Sequence, residues 1–320
     1  MTLVQAPPPG APRAPGGGAS QGNAAGAAGA DRSTRRSAPA AQVVLSAAIL
    51  TLAVSLLGFA AWITFVSHLY YDRVQHDAYA SFRAELAQAT APTGPTDPAN
   101  PKALLAPGSP VAILTIPEIG LNAVVLEGTS GAVLEGGPGH LRDTQLPGQA
   151  GLSEIMGRRA AYGGPFARLA SLSPGQLFSV TTGQGVFHYR VIDIRRAGDP
   201  VPRFSAGQEW LILATADGPA FAPSGVLRVD ANLISRPQPA PTMVVSAADI
   251  GPGELVLGTD TLAWVPLVLW GQGLAIAAAG IGWLGSRWGR WQTWAVAVPV
   301  LSYLGLEVAD QVTRLLPNLM

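Results

Sequence analysis

Hydrophobic and polar residues fall along this chain in three textures: uncharged blocks of helical length near both ends, short alternating runs in the middle, and Gly-, Pro- and Ala-rich stretches between them. The first block runs from Val43 to Val66, twenty-four residues without a charge. At 1.5 Å per residue it exceeds a hydrocarbon core of about 30 Å, which predicts a transmembrane helix over 42–67. A signal peptide competes with this reading, but its apolar core is ordinarily about 7–15 residues. The second block, Leu262 to Gly285, is again twenty-four uncharged residues, with Trp264 and Trp283 near its two ends as an interfacial belt requires. It predicts a span over 262–285. A third, Trp291 to Leu306, has sixteen uncharged residues, or nineteen residues when continued to Ala309. A further span is expected over 291–309, with a re-entrant or interfacial helix as the alternative and 310–320 as a tail.

Between the apolar blocks, Tyr70 to Ala89 is helix-permissive and suits a stalk, and residues 90–110 read as a linker, so that 68–107 forms a stalk and linker. From Val111 the pattern changes to short runs such as VAILTIP, GVFHYRVIDI, WLILAT and VLRVDANLI. Phe187, Tyr189 and Val191 alternate with His188 and Arg190, the period of a strand with one buried face. Many short strands divided by Gly, Pro and Ser favour one mainly β domain, a barrel or sandwich over 108–236. Residues 237–261 return to linker character, and 243–261 carry no clear pattern. Residues 1–41 are Pro-, Gly- and Ala-rich without apolar periodicity and are expected to be disordered.

Charge orients this arrangement. Arg13, Arg32, Arg35 and Arg36 precede the first block, and Arg287 and Arg290 lie between the last two, so the positive-inside rule places both in the cytosol. Residues 68–261 then lie outside, with thirteen basic and seventeen acidic residues. The expected location is the cell membrane, multi-pass, with the β domain extracellular. Charged residues are only 12% of the chain and mean hydropathy is +0.28, which agrees with membrane residence. Nineteen Arg against the single Lys102, among abundant Ala, Gly and Pro, suggest a GC-rich bacterial genome. Zero net charge gives no field to recruit nucleic acid. Cysteine is absent, which excludes disulfides, thiolate metal sites and a cysteine nucleophile.

Several segments in collinear order resemble a sortase domain. They are LTIPEIGLNAVVLEGTS from Leu114, GGPGHLRDTQLPGQAG from Gly136, GRRAAYGGPFARLASLSPGQLFSV from Gly157, WLILATADG from Trp210 and VLRVDANLI from Val226. They look most like class E sortases of high-GC Gram-positive bacteria of the actinobacterial kind. The resemblance implies an eight-stranded sortase-type β-barrel, in a group whose active members join surface proteins to the cell envelope at an LPXTG- or LAXTG-like signal.

The chemistry that the resemblance implies needs a Cys nucleophile, a His for proton transfer and an Arg for the oxyanion or the substrate. Here the Gly-His-Arg triplet reads Gly157-Arg158-Arg159, so Arg158 stands at the His place. Ala216 follows LILAT at the Cys place, and counting back five residues from Ala231 gives Val226 at the Arg place, with Arg228 two residues along. No catalytic residue is intact: Ala216 has no nucleophilic atom, and a guanidinium cannot shuttle protons at neutral pH. The expected role is therefore that of a pseudoenzyme, a membrane-anchored binding or scaffolding component of surface-protein or envelope assembly. Its partners would be the membrane and a sorting signal, an active sortase or another envelope protein, with no nucleic acid, cofactor or metal. Arg158, Arg159, Thr215 and Arg228 are candidate groove contacts, with Arg158 either a fixed cation for a carboxylate or simply paired to a local acid. The alternative is a transpeptidase or hydrolase with an unrecognised nucleophile, for which Thr215, Ser224, His140 and His188 are the available groups. His140 reads as structural and His188 as a surface residue. Glu307 and Asp310 are either intramembrane carboxylates or lie beyond a span ending at Leu306.

Overall fold

Alternating apolar residues between Val111 and Leu233 close a barrel. The computed structural model describes residues 49, 52–53, 55–202 and 209–320. Two short strands, β1 (Thr96–Asp97) and β2 (Asn100–Leu104), pair with each other outside the barrel. Eight more form it: β3 (Pro110–Ile116), β4 (Leu121–Glu127), β5 (Gly139–His140), β6 (Leu152–Met156), β7 (Leu177–Thr182), β8 (Gly185–Arg195), β9 (Trp210–Asp217) and β10 (Gly225–Leu233). They close in the order β10-β8-β7-β3-β4-β5-β6-β9. The pairing is mixed, because β4–β5 and β6–β9 are parallel and the rest antiparallel. The chain thus has the eight-stranded mixed barrel expected of it.

Side-chain parity decides what faces inward. Leu211 and Leu213 on β9 and Leu227, Val229 and Ala231 on β10 join Phe178, Phe187 and Tyr189 in one buried core. Phe187, Tyr189 and Val191 are buried while His188 and Arg190 are exposed, as the period of two requires. One charged pair is buried beside this core: Arg195 donates two hydrogen bonds to the carboxylate of Asp230.

Three helical elements position the barrel. A π-helical turn at Trp62–Val66 leads into α1 (Ser67–Gln88), and the short α2 (Gly131–Gly136) packs against α1. Gln75 fixes α1 to the barrel: its side-chain amide donates to the carbonyls of Val124 (3.1 Å) and Gly136 (2.8 Å), and its carbonyl accepts the Val124 N–H (2.7 Å). Pairing of β4 with β5 reaches only Leu126 and Glu127, so one glutamine does for Val124 what a neighbouring strand would. Of the expected span over 42–67, residues 42–48, 50, 51 and 54 lie outside the described residues; Ile49, Leu52, Ala53 and residues 55–61 are helical.

At the other end, α3 (Trp264–Arg287) and α4 (Arg290–Leu315) form a hairpin. Among the described residues, two segments, Thr261–Gly285 and Trp291–Leu315, are long and apolar enough to cross a membrane. Their apolar side chains point outward, with Val265 67%, Ile276 73% and Trp291 85% exposed, an arrangement that suits lipid and not water. The last helix runs through Pro299 to Leu315, past Ala309, the expected end of the span. The patternless segment before α3 lies along the barrel in three short 3-10 turns, Ala247–Asp249, Pro252–Glu254 and Thr261–Ala263. Arg142 holds it with a two-pronged ion pair to Glu254 (2.6 and 2.9 Å), and Thr129 donates to the Glu254 carbonyl (2.6 Å).

Candidate functional site: the outer face of β9 and β10

The residues of the outer face of β9 alternate with those of the core. Ala214 and Ala216 point away from the interior and join Met156, Leu134 and Leu319 in a second buried cluster, against which Val226, Leu141, Val256 and Leu257 pack. In register, Val226 pairs with Ala216 and Arg228 with Ala214. The Cys and Arg places of the resemblance are therefore direct cross-strand neighbours. The strand ends in a turn at Gly218, where φ is +99° and a Cβ would meet the Ser224 Oγ at 2.6 Å, so only glycine fits.

The His place lies in the loop after β6. Gly157 bridges to β9 by donating its N–H to the Ala214 carbonyl (3.0 Å), while Thr215 donates its hydroxyl to the Gly157 carbonyl (2.8 Å). Arg158 is 1% exposed. Its guanidinium donates to the Gly131 carbonyl (3.0 Å), lies 3.9 Å from the Glu135 carboxylate and stacks 4.8 Å from the Tyr162 ring centroid. Burial draws its pKa down from the ordinary guanidinium value, opposed by Glu135. Burial likewise pushes the Glu135 carboxyl up to about 7, against the pull of Arg158. Arg158 is thus an internal cation, turned to the Gly131 carbonyl, Glu135 and the Tyr162 ring and away from solvent.

Tyr162, beside it, holds a left-handed φ of +50°, uncommon for an aromatic residue. The contacts that hold it come from three elements. Its hydroxyl shares a hydrogen bond with Thr313 of α4 (3.2 Å) and accepts from the Trp62 indole (3.3 Å), and its ring meets Tyr70 edge-on at 6.1 Å. A cavity of about 230 Å³ opens here between the barrel and α4, lined by Trp62, Tyr70, Glu135, Tyr162, Glu307 and Asp310 among others. Asp310 forms an ion pair with Arg314 (3.0 Å).

The remaining sequence candidates are placed as follows. Arg159 is part-exposed at the groove rim, donates to the Ala216 carbonyl (3.0 Å) and lies 3.6 Å from Asp217. Arg228 is part-exposed on the groove face. Thr215 is buried and faces inward, its hydroxyl already committed. His140 is buried on β5 with Nδ1 3.0 Å from Glu127 and Nε2 3.0 Å from the Gln145 carbonyl. Burial lowers its pKa, but the charge and hydrogen bond of Glu127 outweigh burial and the net shift is upward. His188 is exposed on β8. The structure brings Ala216, Val226, Arg228 and Arg159 to one face and leaves both histidines elsewhere.

Residues from the far end of the chain, which sequence reasoning missed, also belong to this face. Leu319 is fully buried on Ala216 and Ala214, and its carbonyl accepts the Arg159 N–H (3.0 Å). Val256 and Leu257 pack against the same cluster. Nothing in the sequence marks them, because the contact joins positions far apart in the chain.

The closed mixed barrel of eight strands defines the class of fold. The family model described as sortase domain matches residues 114–231. The chain carries a sortase domain and belongs, through it, to the sortase family. Among solved structures it is similar to sortase E from Streptomyces avermitilis, at 33% identity over 41% of this chain and 91% of that one, with a TM-score of 0.36. Sortase E1 from Streptomyces coelicolor, solved with a tripeptide in the active site, matches at 29% identity over 41% and 93%, with a TM-score of 0.37. A sortase D5 transpeptidase from Clostridium perfringens matches at 20% identity over 51% and 99%, with a TM-score of 0.42. None of the curated proteins matches the chain.

Proposed function

We propose that this chain is a membrane-anchored, non-catalytic sortase of class E-like type that binds or scaffolds in surface-protein or cell-envelope assembly. The observation that carries the reading is Ala216, a methyl group at the end of β9 where the family's nucleophile belongs, opposite Val226 and beside a buried Arg158. No acyl-enzyme can form on a methyl group. The nearest hydroxyl in sequence, that of Thr215, is turned inward and bonded to Gly157, and His140 is engaged by Glu127 and Gln145, so neither supplies a substitute pair. The partner in this reading is a sorting signal, an active sortase or another envelope protein.

The full chain in lipid nanodiscs, incubated with LPXTG and LAXTG peptides, is expected to yield neither cleavage nor a covalent adduct by intact mass. An adduct would overturn the reading in favour of an enzyme with another nucleophile. The proposed topology places the barrel outside the membrane and the α3–α4 turn in the cytosol. Single cysteines at Lys102 or Ser173 are expected to label in intact cells with an impermeant maleimide, and one at Gly289 only after permeabilisation. Labelling of the Gly289 variant in intact cells would mean that α3 and α4 do not cross as a hairpin.

A further inference from the structure

The groove over Ala216 is already filled by the chain itself. After α4 ends at Leu315, residues 316–320 turn back onto the barrel. Asn318 is 1% exposed, and its side-chain amide donates to the carbonyls of Thr129 (3.0 Å), Leu255 (3.0 Å) and Gly253 (3.2 Å), while its N–H donates to Gly258 (2.9 Å). Leu319 then joins Ala214, Ala216, Met156 and Leu134 in one buried cluster, and the Met320 N–H closes a turn on Pro317 (3.0 Å). These are the features of a bound peptide: one buried apolar anchor, one buried amide reading three main-chain oxygens, and a main-chain hydrogen bond from the receptor, given by Arg159.

We infer that the outer face of β9 and β10 is a peptide-binding site for an Asn-Leu-type segment, that residues 316–320 are its resident ligand, and that a competing peptide of the same chemistry gains entry only by displacing them. Leu316-Pro317 also matches the opening of an LPXTG-type signal, but Leu319 and Met320 stand at the Thr and Gly places, so the segment contains no Thr–Gly bond to cut.

The inference rests on the binding reading above, and its test does not depend on that reading's outcome. The chain has no cysteine, so Ala216→Cys introduces a single thiol at the floor of the groove. In nanodiscs, the full chain carrying Ala216→Cys is expected to react with N-ethylmaleimide at least tenfold more slowly than the same chain stopped after Leu315. The point variants Leu319→Ser and Asn318→Ala, in chains with unchanged circular dichroism, are expected to accelerate the reaction in the same direction, and they serve if the shortened chain does not fold. Millimolar Leu-Pro-Asn-Leu-Met peptide, but not a scrambled version, is expected to restore protection to the shortened chain or, failing that, to the Leu319→Ser chain. Equal reactivity with and without Leu319 and Asn318 would overturn the inference. Faster reaction without protection by the added peptide would overturn it as well, leaving residues 316–320 as packing and no ligand site. A peptide adduct on the unaltered chain would instead remove the non-catalytic reading while leaving the occupancy of the groove to be decided by these rates.

Discussion

The two faces of β9 and β10 are built from the same strands and have been treated differently. The inward face packs Leu211, Leu213, Leu227 and Val229 with aromatic residues from β7 and β8 in an apolar interior of the kind any closed small barrel needs. The outward face carries Ala214, Ala216 and Val226, small or plain apolar residues where the family's chemistry would be, and is covered by segments from beyond residue 250. The outward face is thus a buried contact surface on the same strands. The difference shows that barrel stability and groove chemistry are separable: each face answers to its own neighbours.

The contrast is tested most severely by making one substitution on both sides. Leu213 and Leu319 are both fully buried. Leu213→Ala opens a cavity inside a closed barrel and is expected to lower barrel stability by about 2–5 kcal/mol in chemical denaturation. Leu319→Ala removes the same atoms, but residues 316–320 can leave without the barrel opening, so the loss in the barrel transition should stay below about 1 kcal/mol. Equal losses would show that the groove cover is part of the barrel's cooperative unit.

A smaller effect is expected at Glu135, on the side where α4 packs. Glu135 is held protonated to about pH 7 by burial, above the usual carboxylate value of 4.5, with Arg158, Tyr162, Asp310 and Arg314 around it. Between these values the unfolded chain has released the proton that the folded chain keeps. This group's contribution therefore favours the fold at low pH, falls as pH rises from about 4.5 to 7, and levels above that, with a span on the order of 3 kcal/mol at most. His140, with its raised value, acts in the same direction, its stabilisation present at low pH and lost as pH rises through its folded value. Unfolding midpoints of the unaltered chain minus those of Glu135→Gln isolate the Glu135 part. A difference that does not vary between pH 4.5 and 7.5 would contradict the burial of that carboxyl.

How far the sequence can be read depends on whether a contact is local. Period-two alternation in Phe187, Tyr189 and Val191 is enforced by the pleat itself, so the strands of the barrel are legible. Ala216 and Val226 are read as a pair of places from the resemblance alone, and the register of β9 with β10 sets them opposite one another. The same parity turns Thr215 inward with Leu211 and Leu213 and removes it from the expected groove contacts, although its neighbours in sequence belong there. The seat of Leu319 and the clamp of Arg142 on Glu254 join segments more than a hundred residues apart, and no periodicity encodes such a meeting. Arg158 illustrates the middle case: either a charge for a ligand or an internal pair is consistent with its place in the loop, and only the position of α2 brings Glu135 to it.

Gln75 has a practical corollary for anyone wishing to handle the barrel alone. Its amide completes β4 at Val124, so an excision beginning near residue 108 would strip α1 away and leave a bare backbone N–H and C=O on a strand that is otherwise buried. Such an exposed edge is a template for pairing with another chain. The shortened protein is then expected to self-associate through β4, and its clumping would be a product of the scissors and not a property of the intact molecule.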